Sequence, residues 1–191
     1  MYSVMQSILN GGFVRETEIK ILGIDRKKLE KKLLSLGAGK IFDGEIHALY
    51  YDTPDRSVRA RRGTFRLRRE GATSVLTFKA HVDDSVAKMR EETEVTVSDF
   101  DAMRSILKSI GFYPWLEMKK HRTTYALPGV HFELDKYTDE FGFIPEFLEI
   151  EGCDIVMVYE SAAALGFSKE DCRPWDALQV AEYYSARARK S

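Results

Sequence analysis

The stretch RETEIKI, residues 15–21, sets charged and apolar side chains in alternation. Successive side chains of a β-strand point to opposite faces, so Glu16, Glu18 and Lys20 share one face while Thr17, Ile19 and Ile21 share the other. The apolar face is suited to a core. The charged face must meet water or line a polar cavity that binds something charged. The same two-residue spacing recurs at Glu92 and Glu94 in MREETEV and at Glu149 and Glu151 in FLEIEG. Bases repeat it at Arg66 and Arg68 in TFRLRRE and at Lys120 and Arg122 in KKHRTTY, with Lys79 alone in LTFKA. Ile19, Phe65, Leu67, Val95 and Ile150 fall on the opposite face.

Eight segments carry strand character, at about 13–22, 46–53, 63–70, 74–80, 88–97, 117–127, 130–137 and 145–152. Gly71 and the pair Pro128-Gly129 supply turn chemistry between neighbouring runs, so the sheet is predicted to be mainly antiparallel. Helices interrupt the series. Asp25 caps one, with Leu29, Leu33 and Leu36 on its apolar stripe and Gly37 as its stop. A second starts at Ser98, with Asp101 supporting the cap and Phe100, Met103, Ile106, Leu107 and Ile110 on the stripe before Gly111. Two more are predicted at about 154–165 and 174–189. The fold class is therefore α+β: an eight-stranded antiparallel β-barrel braced by outer helices, since closing the sheet removes its edges and encloses the charged face.

The chain has 191 residues, enough for one well-buried domain, read as 13–191 behind an N-terminal extension at 1–12. That extension lacks the basic start and cleavage site of a secretory signal. Cys153 and Cys172 have no metal-ligand or disulfide spacing, which together with the leader reading places the protein in the reducing cytoplasm. A net charge of -1 offers no global basic field, so no nucleic-acid partner is expected, and no apolar run is long enough for a membrane span. A homodimer is the one self-assembly left open.

Carboxylates at alternate strand positions converge hard oxygen ligands, which suit Mg²⁺ or Mn²⁺ better than zinc. Rows of arginine and lysine suit an anion with several oxygens, because guanidinium forks match phosphate. Together they fit a metal-bound polyphosphate. The bland reading of any single row is a solvated strand face with cross-strand pairs worth tenths of a kcal/mol. Three acidic and two basic rows of one chemistry on separate strands favour a lined cavity. Lys119 and His121 run out of phase with Lys120 and Arg122 and should point away from it. His47, His81 and His131 have no partner at ligand spacing, and Arg59, Arg61 and Arg62 read as a solvated basic patch ahead of an entrance funnel.

With these motifs in order over residues 13–152, joined by YYDTPDRSVRARRG and FELDKY, the sequence resembles the CYTH family, the triphosphate tunnel metalloenzymes. The resemblance implies an eight-stranded tunnel that binds a triphosphate with Mg²⁺ or Mn²⁺. It implies Glu16, Glu18, Asp135, Glu149 and Glu151 as metal ligands and Lys20, Arg66, Arg68, Lys79, Lys120 and Arg122 as the phosphate cradle. Glu92 and Glu94 match the family's central acidic pair, which holds a second metal or orients the bases, and with Lys20 they form the expected catalytic set. The implied activity is a metal-dependent triphosphatase acting on inorganic, thiamine or nucleoside triphosphate. The alternatives are a class IV adenylate cyclase that converts ATP to cyclic AMP and pyrophosphate, and a non-catalytic polyphosphate- or nucleotide-binding barrel. Intact acidic rows argue against the last, since pure anion binding gains from fewer carboxylates.

Overall fold

The computed structural model describes residues 17–82 and 89–188. The predicted extension at 1–12 and Glu16 lie outside the described residues. The described chain divides into two compact units, one of Ile46–Glu117 and the other of Glu16–Glu45 with Met118–Ser191. Their strands are β1 (Thr17–Leu22), β2 (Gly39–Asp52), β3 (Thr64–Glu70), β4 (Thr73–Val82), β5 (Met89–Val97), β6 (Tyr113–Leu127), β7 (Val130–Tyr137), β8 (Phe147–Gly152) and β9 (Cys172–Arg173). Helices are α1 (Arg26–Ser35), α2 (Ser57–Ala60), α3 (Phe100–Ser109), α4 (Ile155–Leu165) and α5 (Ala177–Ala188).

The strands form a nine-stranded sheet in the order β5-β4-β3-β2-β6-β7-β8-β1-β9. The α+β reading and its antiparallel sheet braced by helices hold, with nine strands where eight were expected and a sheet that is not strictly closed. The ninth strand is two residues long, pairing Lys20 with Arg173 and Ile21 with Cys172, too short to leave any periodicity in the sequence. Among the described residues no pairing joins β5 to β9.

In the unit containing Glu16–Glu45, the apolar faces of β1, β7 and β8 contribute Ile19, Ile21, Phe132, Leu134, Leu148 and Ile150 to one core. Leu29 and Leu33 of α1 and Val158 and Ala162 of α4 join it, each large aliphatic side chain contributing about 1.5–3 kcal/mol by leaving water. Asp25 caps α1 by accepting from Lys28 N, as its position predicts, whereas Leu36 is 37% exposed and leaves the stripe. Pro128 and Gly129 close the β6–β7 hairpin. Gly129 has φ of 78°, and a Cβ there would come within 3.0 Å of Met157 Sδ.

In the other unit, Leu49, Tyr51 and Leu67 pack with Phe100 and Leu107 of α3. The cap of α3 is Asp99, which accepts from Asp101 N and Ala102 N, so the helix starts one residue later than Ser98 suggested. Ile106 and Ile110, expected in its buried stripe, are exposed. Phe100 and Leu107, seven residues or about two turns apart, are its buried contacts with this core, and Met103 packs beside them partly buried.

Candidate functional site

On β1 and β8, antiparallel register sets Glu18 opposite Glu151 and Lys20 opposite Glu149. On β8 and β7 it sets Glu149 opposite Glu133, and on β7 and β6 Asp135 opposite Arg122. Directly opposed residues share a face, so alternation in four strands gathers these side chains on the face turned away from the Ile19–Ile150 core. Lys20 donates to Glu18 Oε1 at 3.0 Å and lies 3.3 Å from Glu149 Oε2. Lys120 donates to Asp135 Oδ2 at 2.5 Å, and Arg122 grips the same carboxylate through Nε to Oδ1 at 2.7 Å and Nη2 to Oδ2 at 2.6 Å. Arg122 Nη1 also forms an ion pair with Glu133 Oε2, an oxygen that accepts no hydrogen bond.

The electrostatics follow from burial and pairing. Burial works against the charged form of Lys20, but Glu149 and Glu18 outweigh it and hold the ammonium proton above its ordinary affinity. Burial likewise opposes ionised Glu149, and Lys20, Arg122 and Lys120 overcome it, leaving this carboxyl well below the usual range. Glu133 goes the other way. Burial, together with Glu149, Glu151 and Asp135, raises it despite Arg122. Glu133, Asp135 and Glu149 are all buried and present oxygens within 4.8 Å of one another. Glu18 stands at the open end of the row with its side chain 43% exposed.

A second charged row lies in the unit of Ile46–Glu117. Register aligns Tyr50, Arg66, Thr77 and Glu94 across β2 to β5, and Thr64, Lys79 and Glu92 beside them. Lys79 Nζ lies 2.6 Å from Glu92 Oε2, and Thr77 Oγ1 donates to Glu94 Oε1 at 2.6 Å. Burial opposes ionised Glu94, but Thr77, Arg68 and Arg66 lower its affinity for a proton. The Nε atoms of Arg66 and Arg68 are buried and donate to nothing, so these guanidiniums keep hydrogen-bonding capacity in reserve.

The structure thus brings Glu18, Lys20, Lys120, Arg122, Asp135, Glu149 and Glu151 onto one face of one unit. It brings Arg66, Arg68, Lys79, Glu92 and Glu94 together in the other. Lys119 pairs with Asp139 and His121 with Asp43, away from Asp135, as their phase predicts. Sequence reasoning missed Glu133. It stands two residues before Asp135 in FELDKY, the same alternation as the E-x-E rows, but that motif was read for its aspartate alone.

Paired carboxylates and fixed cations thus share one face of the strands in each unit. The chain belongs to the CYTH domain family, whose signature matches residues 14–156. It is 31% identical over 136 residues to the "putative adenylate cyclase" of Methanocaldococcus jannaschii, covering 71% of this chain and 75% of that protein. The PH1012 protein of Pyrococcus horikoshii OT3 superposes with a TM-score of 0.70 at 25% identity, over 87% of this chain and 99% of that one. The Hippeastrum protein HpAC1, described as a "putative adenylyl cyclase" with a dominant triphosphatase activity, superposes with a TM-score of 0.60 at 18% identity, over 88% and 96% of the two chains. At that identity the likeness is one of fold. Among the described residues no helix is long and apolar enough to cross a membrane.

Proposed function

We propose that this protein is a divalent-metal-dependent triphosphatase that splits a triphosphate into a diphosphate and phosphate. The observation that carries the reading is the ladder Glu18–Glu151, Lys20–Glu149–Glu133 and Asp135–Arg122, which alternates acids and cations on one sheet face. Its metal donors are carboxylate oxygens alone, a set that fits a hard cation such as Mg²⁺ or Mn²⁺. Glu18, Glu149 and Glu151 would hold it, with Glu16 as the further expected ligand. When bound, such a cation neutralises phosphate oxygens and activates water.

The chain's own residues do the rest. Lys20, held in its charged form by Glu149 and Glu18, neutralises phosphate charge together with Lys120 without needing to reorganise. Arg66 and Arg68 offer phosphate oxygens their free Nε donors, and Lys79 adds a third cation to that row. Glu92 and Glu94 fix Lys79, Thr77 and Arg66 in place. Phosphoryl transfer asks mainly for such positioning and neutralisation, with no covalent enzyme intermediate.

Cyclisation of ATP is the second reading, favoured by the name of the Methanocaldococcus relative. Hydrolysis stands first because every charged row addresses phosphate or metal, and no residue in either row recognises adenine. The test is phosphate release from inorganic triphosphate. Turnover that requires added Mg²⁺ or Mn²⁺ and stops with a chelator supports the reading; equal turnover after exhaustive metal removal refutes it.

A further inference from the structure

Strand β9 places one more cation on the charged face. Its two residues pair with β1, Cys172 opposite Ile21 and Arg173 opposite Lys20. Cys172 is buried in the core that Ile19 and Ile21 share, and a slip of one residue would exchange it for the guanidinium, so the register is fixed from the apolar side. Arg173 therefore falls on the face of Lys20, Glu149 and Glu133. What holds it differs from what holds its neighbours. Lys20, Lys120 and Arg122 sit against carboxylates. Arg173 Nη1 instead donates to the backbone carbonyls of Glu170 and, at 3.4 Å, of Cys172, while Cζ lies 5.9 Å from the centre of the Trp175 ring. Among the described residues no carboxylate forms an ion pair with this side chain. Asp171, two residues before it, accepts through Oδ2 from Ser168 N at 2.8 Å and Ser168 Oγ at 2.9 Å. Neutral acceptors and an indole thus orient the guanidinium without cancelling its charge.

We propose that Arg173 is a further phosphate-binding residue: with Lys20, its neighbour across the β1–β9 pairing, it takes the oxygens of one phosphate of the bound triphosphate. The proposal rests on the triphosphate reading above. Opposed side chains on antiparallel strands stand about 4.5–5.5 Å apart at Cβ, so both reach a single phosphate group. Nε and Nη2 of Arg173 donate to no described acceptor, and together they form the fork that two phosphate oxygens match. An incoming anion gains this charge without first displacing a carboxylate from it, the step that makes an already paired cation costly to recruit.

The test is calorimetric titration with diimidotriphosphate, a triphosphate whose P–N–P links resist hydrolysis, in the presence of Mg²⁺. Arg173→Met should bind it at least tenfold more weakly than wild type, while Lys119→Met, out of phase on β6, should stay within twofold. Arg173→Lys, which returns the charge without the fork, should fall between wild type and Arg173→Met. A folded Arg173→Met protein with affinity within twofold of wild type overturns the proposal. If that variant does not fold, Arg173→Gln, which keeps a donor for the Glu170 carbonyl, is judged by the same thresholds. Failure of the functional reading looks different: wild-type protein that binds diimidotriphosphate through Arg173 but releases no phosphate from inorganic triphosphate refutes the triphosphatase and keeps Arg173 as an anion-binding residue. Wild-type protein that binds no diimidotriphosphate refutes both.

Discussion

Asp52, at the end of β2, shows what one buried carboxylate does for the loop that follows. Its Oδ1 accepts from Thr53 N and Val58 N, each at 2.9 Å, and its Oδ2 from Arg59 N at 3.2 Å and Arg59 Nε at 2.9 Å. Burial alone would raise this carboxyl, but the Arg59 side chain and the backbone donors lower it below its ordinary value of 3.8. A lowered carboxyl stabilises the fold above its unfolded value and loses that contribution as pH falls through the folded value. Urea unfolding should therefore show Asp52→Asn less stable than wild type by a constant margin above pH 3.8, closing as the pH drops below it. A margin that widens in acid would contradict the assignment. The sites on β6 and β7 differ in the same way between neighbours. Lys119→Ala removes a surface pair with Asp139 and should cost about 0–1 kcal/mol. Asp135→Asn strands Lys120 and Arg122 in a buried pocket and should cost about 3–5 kcal/mol in the same assay. At this scale the sequence was readable wherever alternation was strict, which is why the phases of Lys119 and Lys120 separate correctly. Which acid each cation grips was not readable, because Arg122 could have met Glu151 as readily as Asp135, Glu133 and Glu149 without any change in strand period.

Helices and strands were legible in proportion to the strength of their end signals. Asp25 caps as its position predicts; the helix expected from about residue 154 starts behind the cap Asp154, and Gly166 ends it with φ of 95°. Ser98 and Asp99 are adjacent cap-forming residues, so composition could not choose between them, and the backbone did. Thermal or urea unfolding should find Asp99→Ala destabilised by about 0.5–2 kcal/mol and Ser98→Ala nearly unchanged; the reverse order would return the cap to Ser98. Strand β2 begins at Gly39 rather than near residue 46, because its first half, GKIFDGE, carries two glycines and no clean alternation. The exposure of Ile106 and Ile110 was invisible for a different reason: an apolar stripe shows which face of a helix is apolar, not how much of it a sheet covers.

For the molecule as a whole, the alternating rows predicted an antiparallel sheet with a charged face, and family membership agrees with it. Strand count and closure depended on long-range pairing that no local pattern encodes. The choice of reaction lies further still from the sequence, since one charged face serves hydrolysis or cyclisation according to which phosphate stands beside the attacking oxygen. The most direct measurement is phosphorus NMR of the products after the purified protein is incubated separately with inorganic triphosphate and with ATP under Mg²⁺ or Mn²⁺. The account predicts orthophosphate and pyrophosphate from inorganic triphosphate and no cyclic nucleotide from ATP. Cyclic AMP and pyrophosphate from ATP, with inorganic triphosphate left intact, would contradict it.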